Sequence, residues 1–330
     1  MGDEHLLPAI GGAVLAAFGM TQAAEAPPGA PGTLTYTLEN DWFGGQDRNY
    51  TNGFRYAYVT GPLEPSRLES RLVRDPRRET TFRRSFALAQ TIHTPDNIFT
   101  VHAQPDDHPY SGYLYGEYAA MAEKDGAWEI VTIEVGVVGP WALGEEVQSL
   151  YHDATGREVP MGWSHQHPNE LVANVSYDRK MKPLLKARVA LLGFDLTPSY
   201  GATVGTVKVN AQAGAMLRIG NRLGSDFGPA RIRPSLTGSG HFSDAQPFGW
   251  YVFAGAQARA VGHDLTLDGS LFRDDVPSAD KRFLVGDIQY GAALQLGPIQ
   301  LGWTSVRRSE RFVGQGGPDR FGAISVSLKL

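Results

Sequence analysis

The sequence predicts an all-β fold, a transmembrane antiparallel up-and-down β-barrel of about 12 strands with a short helix in an extracellular loop. Three observations lead there. From residue 33 onward, apolar residues alternate with small or polar ones at period two rather than 3.6. Beyond the N-terminal apolar run, no stretch approaches the ~18 apolar residues that a spanning helix needs. Charged and amide side chains such as Arg55, Glu134, Arg188 and Gln289 stand mid-strand, where a soluble core would bury them unpaired and a polar lumen can pair them.

Residues 6–20, LLPAIGGAVLAAFGM, form a short apolar run followed by TQAAEA, in which Ala24-Glu25-Ala26 has the small-x-small form of a signal-peptidase site. Residues 1–26 therefore read as an export signal, although its first residues are acidic where a signal is basic. Residues 27–330 read as a single barrel domain. The first strand, LTYTLEND, points Leu34, Tyr36 and Leu38 to one face and Thr35, Thr37 and Glu39 to the other. In TNGFRYAYV the aromatics Phe54, Tyr56 and Tyr58 alternate with Gly53, Arg55 and Ala57. SFALAQTI, YSGYLYGEYAA, WEIVTIEVGVV, ELVANVSYDRK, LLKARVALLGFDL, TVKVNAQAGAMLRI, WYVFAGAQARAV, FLVGDIQYGAAL, QLGWTSVRR and RFGAISVSLKL continue the pattern. The count is even, as single-chain bacterial outer-membrane barrels require. A soluble sandwich or lipocalin-like barrel is the competing fold. The chain also ends on Leu330 rather than the usual aromatic.

With the first strand running outward, residues 42–50, 94–109, 139–168, about 201–206, 262–280 and 313–319 become outer loops. Two connections on the other side, roughly 61–82 and 220–247, are longer than the short turns expected there. The first is rich in arginine and reads as a solvated connection.

A net charge of -5, from 30 basic and 35 acidic residues, leaves no broad basic field and argues against nucleic acid as a partner. There are no cysteines, so disulfide frameworks and thiolate metal sites drop out. No nucleophile elbow, phosphate loop or zinc-helix motif occurs. His165-Gln166-His167 is a weak H-x-H pair, and His93, His102 and His108 read as loop residues facing water.

Two clusters remain. Asn40-Asp41 ends the first strand and Thr51 opens the second, across the polar loop WFGGQDRNY, so a hairpin sets an amide, a carboxylate and a hydroxyl side by side. Such oxygen donors suit a hard cation such as calcium. Parity places Asp41 and Thr51 on the non-lipid face. In the longest outer loop, LGEEVQSLYH suits a short helix with Gln148 and His152 on one face, and Gly156 suits its stop. Glu158 follows His152 by six residues, a pair able to make a carboxylate-tuned histidine base.

The stretches ENDWFGGQDRNYTNGFRYAY, HPYSGYLY, GVVGPWALGEEVQSLYH with its downstream glutamate, GWSHQHPNE, and LDGSLFRD through VGDIQYG to DRFGAISVS resemble the lipid A 3′-O-deacylase (LpxR) family of outer-membrane barrels. The resemblance runs in the family's order from residue 33 to 330. It implies a twelve-stranded barrel in the bacterial outer membrane with a calcium-dependent esterase site near its outer rim, acting on the 3′-linked acyl chain of lipid A in lipopolysaccharide. The site residues it implies are Asn40, Asp41, Thr51, His152 and Glu158. It implies no protein partner besides the lipid substrate and the surrounding outer-membrane lipid. The alternatives are an outer-membrane deacylase for another lipid and a barrel without turnover.

Overall fold

The computed structural model describes residues 31–46, 48–73, 80–233, 235–243 and 247–330; the export signal expected over 1–26 lies outside them. Thirteen strands form one antiparallel sheet: β1 Thr33–Asn40, β2 Asn49–Val59, β3 Thr81–Thr94, β4 Ser111–Lys124, β5 Ala127–Val138, β6 Glu170–Lys180, β7 Leu185–Val189, β8 Leu192–Gly205, β9 Lys208–Gly220, β10 Phe248–Asp264, β11 Leu284–Leu296, β12 Ile299–Arg308 and β13 Asp319–Lys329. Among the described residues three short α-helices accompany them: α1 Glu69–Leu72, α2 Gly144–Ala154 and α3 Leu265–Asp268. β1 pairs with β13, and β6 pairs with β8 past β7, so the sheet closes on itself as a twelve-stranded barrel with β7 as an added edge. Closure removes every open edge within the wall, which is what a lipid solvent demands of a β structure.

The stretch LLKARVALLGFDL, expected as one strand, is instead a hairpin. Ala190 adopts φ 53 at the turn, β7 precedes it, and the wall strand β8 begins after it and runs through Pro198. Pro198 sits where the neighbour of β8 changes from β7, last paired at Leu196, to β6, first paired at Ser199. Its missing N–H therefore interrupts no ladder bond. Arg188 lies in this exposed hairpin and not in the lumen, a correction to the expectation above.

The alternation has the expected physical meaning. Leu34, Tyr56, Val135, Val175, Val252, Ile288 and Trp303 are exposed on the outer face, as an apolar band toward lipid requires. The inner face is polar and internally paired. Arg55 meets Glu117 at 2.5 Å, Arg218 meets Asp195 at 2.7 Å, and Asp287 receives both Arg259 and Arg308 at 3.0 and 2.9 Å. Glu134 accepts from Asn174 at 2.8 Å, and Gln289 donates to the Leu236 carbonyl at 3.0 Å. Buried charges are tolerable only when paired in this way, because removing one partner strands the other in a low-dielectric interior.

The two long connections at the terminal end have different fates. Residues 61–73 pack Leu63 and Val73 against Phe82 and Ala122, with Glu69 held by Arg84 at 2.5 Å; part of the arginine-rich stretch lies outside the described residues. The segment after β9 folds up into the barrel as a plug. Arg231 reaches Glu39 at 3.0 Å and Gln289 at 2.8 Å, the Ile232 N–H donates to Glu39, and Leu236 and Phe242 are buried. Gly53 makes room for it: a Cβ there would stand 2.7 Å from the Ile232 Cδ1.

Candidate active site

At the loop end of β1 the Asn40 side chain turns back over the chain and its Oδ1 accepts the Trp42 N–H at 2.8 Å, capping the 3-10 turn Asp41–Gly44. That bond fixes the amide's orientation, leaving Nδ2 as a donor that makes no hydrogen bond among the described residues. Asp41 is buried, and its Oδ2 accepts the Arg48 N–H at 2.6 Å, closing the β1–β2 connection. Gly45, at φ 72, supplies the left-handed residue that ends the turn.

Asn40 pairs with Asn52, which leaves Asp41 and Thr51 one step beyond the last registered pair on adjacent strands. Thr51 is the extra residue of a bulge, since the β2–β3 register shifts between Tyr50 and Asn52. The bulge lets Tyr50 donate its hydroxyl to Glu39 at 3.0 Å while Thr51 is also buried, its Oγ1 2.7 Å from the Thr94 Oγ1. Asp41 and Thr51 are thus both buried side chains, as parity anticipated.

The second cluster folds as the sequence suggested. Gly139, at φ 92, precedes a 3-10 turn over Pro140–Ala142, α2 follows, and Gly156 adopts φ 67 just beyond it. The buried face of α2 carries Gly144, Gln148 and His152. The Gln148 Oε1 accepts the Trp163 indole N–H at 2.9 Å. Gly144 meets the same ring edge-on, where a Cβ would lie 2.6 Å from it. These contacts set the height of the helix above β3 and β4.

His152 is buried, and its Nδ1 lies 2.7 Å from the Glu158 backbone carbonyl oxygen. A carbonyl only accepts, so Nδ1 carries a proton and the neutral ring has its lone pair on Nε2, which makes no hydrogen bond among the described residues. The sequence pointed to the Glu158 carboxylate as the orienting group; the main chain performs that role, and the Glu158 side chain is exposed. The two clusters meet through Arg157, whose guanidinium lies 5.5 Å from the Trp42 ring centroid and 6.0 Å from that of Tyr151. Neither Trp42 nor Arg157 was singled out from the sequence. Trp42, beside Asp41, and Trp141 and Leu150, in the 139–168 loop, are large exposed apolar side chains, with Leu150 70% exposed.

The loop histidines depart from expectation. His102 is exposed, but His93 belongs to β3 and is buried, and His108 is fully buried and stacked on it, ring centroids 5.1 Å apart. Burial holds His108 well below the ordinary imidazole range and pushes His167 down to about 4. His165 and His167 flank the end of a 3-10 turn rather than sharing a strand face: His165 is exposed, while the His167 Nε2 points to the Thr266 carbonyl.

The donors at the β1–β2 connection are the oxygens of a carboxylate, a hydroxyl and main-chain carbonyls, which suit a hard cation and not a soft one. Among the described residues no three acidic or histidine side chains come together as a metal cage, so a calcium ion here would rest on the Asp41 carboxylate, neutral oxygens and water.

A closed barrel with a plugged lumen and an apolar belt defines an integral outer-membrane barrel, here with histidine and oxygen-donor clusters at its loop end. The chain belongs to the family described as Outer membrane protein LpxR, which matches residues 10–330. It is similar to LpxR from Salmonella typhimurium, with TM-score 0.74 and 20% identity over 90% of this chain and 100% of that one. The beta domain of the Bordetella autotransporter BrkA aligns with TM-score 0.41 at 9% identity over 91% of this chain and 98% of that one. The translocator domain of the autotransporter NalP from Neisseria meningitidis aligns with TM-score 0.36 at 9% identity, over 98% and 96%. No curated protein matches.

Proposed function

We propose that this chain is a lipid A 3′-O-deacylase, hydrolysing the 3′-linked acyl ester of lipopolysaccharide at the loop end of the barrel. The observation that carries the reading is the buried His152, whose Nδ1 is held by a main-chain carbonyl and whose Nε2 makes no hydrogen bond among the described residues, in a loop that reaches the Asn40–Asp41 turn through the contact of Arg157 with Trp42. Family membership supports lipid A as the substrate class. The exposed apolar side chains of Trp42, Trp141 and Leu150 supply a surface on which an acyl chain can lie.

His152 Nε2 takes a proton from water, and the water oxygen adds to the ester carbonyl carbon. The carbonyl becomes a tetrahedral oxyanion, to which the Asn40 Nδ2–H donates in this reading. The imidazolium returns its proton to the departing sugar oxygen as the C–O bond breaks, releasing a fatty acid and a free hydroxyl. No acyl-enzyme is needed. When bound, a calcium ion held by Asp41 would polarise the ester carbonyl. Thr51, hydrogen-bonded to Thr94, positions the groups around Asp41, and the exposed Glu158 carboxylate adds negative charge for cation capture.

The plug favours this reading over a pore, because Arg231, Ile232 and Leu236 occupy the lumen a solute would cross. Lipid A extracted from cells expressing the wild type and His152→Ala tests the proposal: loss of one 3′-linked acyl group in the wild type alone supports it. Identical lipid A from both, with the barrel folded in the outer membrane, overturns it.

A further inference from the structure

A second polar site lies at the loop-end mouth of the lumen, behind β1 and β2, and the hydrolytic mechanism does not use it. It is a cavity of about 60 Å³, where one water needs only about 10–15 Å³ of such space. Seven Lys or Arg residues line it against two carboxylates, Glu39 and Asp264.

Hydrogen bonding shows which of these groups are satisfied. Glu39 is fully engaged, accepting from Arg231, the Ile232 N–H and the Tyr50 hydroxyl. Asp264 caps the following turn, its Oδ1 accepting from the Thr266 N–H at 3.2 Å and hydroxyl at 2.7 Å. Arg259 and Arg308 are both committed to Asp287.

The unsatisfied groups on this lining are chiefly donors. Arg311 is 5% exposed, and its Nε and Nη2 are buried without a hydrogen bond; Asp319 stands 3.4 Å from Nε outside hydrogen-bond geometry. His93, also 5% exposed, has an unpartnered Nδ1. Lys208 also lines the cavity, and its ammonium makes no hydrogen bond or ion pair among the described residues. Buried donors left unmade cost stability, so a cavity that gathers several of them is built for a group carrying several acceptors.

We propose that Arg311, Lys208 and His93 bind a phosphate-class oxyanion at the mouth of the lumen, as free inorganic phosphate or as the phosphate of a glycolipid headgroup. A phosphate offers acceptor oxygens on every side, and an arginine edge with two N–H groups that make no hydrogen bond matches two of them. The site is independent of His152, so it stands or falls separately from the hydrolytic reading.

The test is a calorimetric titration of the purified full-length chain in detergent with inorganic phosphate at low ionic strength. Saturable binding is expected, weakened at least tenfold in Arg311→Gln and in Lys208→Gln, and unchanged in Lys182→Gln at the opposite end. The two site variants lie in different parts of the chain, Lys208 in β9 and Arg311 in the connection after β12, so one that fails to fold leaves the other to report. Displacement of phosphate by a phosphorylated glycolipid, and not by its dephosphorylated form, assigns the source to a headgroup. Saturable binding without displacement assigns it to the free anion. Absence of saturable binding by the wild type, or unchanged affinity in a folded site variant, overturns the proposal.

Discussion

His152 Nδ1 lies 2.7 Å from the main-chain carbonyl oxygen of Glu158, six residues further along the same loop. The loop thereby fixes the tautomer of its own histidine without a side chain. A carbonyl orients the ring but adds little charge, and in the proposed mechanism His152 is the general base. Truncating it in His152→Ala should lower deacylation at least ~100-fold, the usual worth of a positioned general base. Heat-modifiable migration on gels should remain that of a folded barrel.

Glu158 separates orientation from charge. In Glu158→Gln the main-chain acceptor is untouched, so the maximal rate at saturating calcium should fall only a few-fold. The calcium concentration for half-maximal rate should rise. Titrating activity against calcium after chelation distinguishes this from a role in tuning the imidazole, which would lower the plateau instead.

Asn40 serves the fold through Oδ1, and the proposed mechanism uses its Nδ2. Asn40→Asp keeps an acceptor for the Trp42 N–H and removes the amide donor. The turn should survive, while kcat should fall by about 10²–10³, as for loss of one oxyanion donor. Steady-state kinetics on detergent-dispersed lipid A, with circular dichroism as the fold control, check it.

Gly144 opens a helix, a place where alanine ordinarily helps. Here a Cβ would lie 2.6 Å from Trp163, against a ring anchored by Gln148. Gly144→Ala should lift α2 from the wall and reduce activity ten-fold or more with the barrel's thermal stability nearly unchanged. Trp163→Leu in the same background should restore part of the loss by giving the methyl group space.

Burial of His167 makes the loop layer sensitive to acid. Its folded pKa of about 4 lies below the ordinary 6.5, so between those values the unfolded chain binds more protons. Stability is complete above pH 6.5 and declines toward pH 4, by about 3 kcal/mol in full. Hydrogen exchange of residues 160–170 should quicken over that window in the wild type, and His167→Gln should flatten the dependence.

Much of the wall was legible because lipid and lumen impose opposite demands on alternate residues. Tyr36 and Tyr56 read as facing the same side, and they do so in register with ring centroids 4.6 Å apart. The α2 helix was legible from the spacing of Gln148 and His152. What escaped was aperiodic or belonged to the backbone. The plug carries Arg231, Ile232 and Leu236 without strand or helix spacing, so its length showed only as an irregularity. The bulge at Thr51 depends on how β2 and β3 register, and β2 alone does not specify it. The acceptor at Glu158 is a carbonyl that every residue possesses, so no side-chain pattern could point to it. His108 looked solvated within a polar loop because its cover, His93 and Phe312, comes from distant parts of the chain.

The central claim is hydrolysis by His152 at the loop end, and mass spectrometry of lipid A tests it most directly. Lipid A would be extracted from cells expressing the wild type or His152→Ala, with and without calcium chelation. Loss of one 3′-linked acyl group in the wild type with calcium, and in no other sample, is the expected result. Unchanged lipid A in every sample, from protein shown to be folded in the outer membrane, would contradict the account.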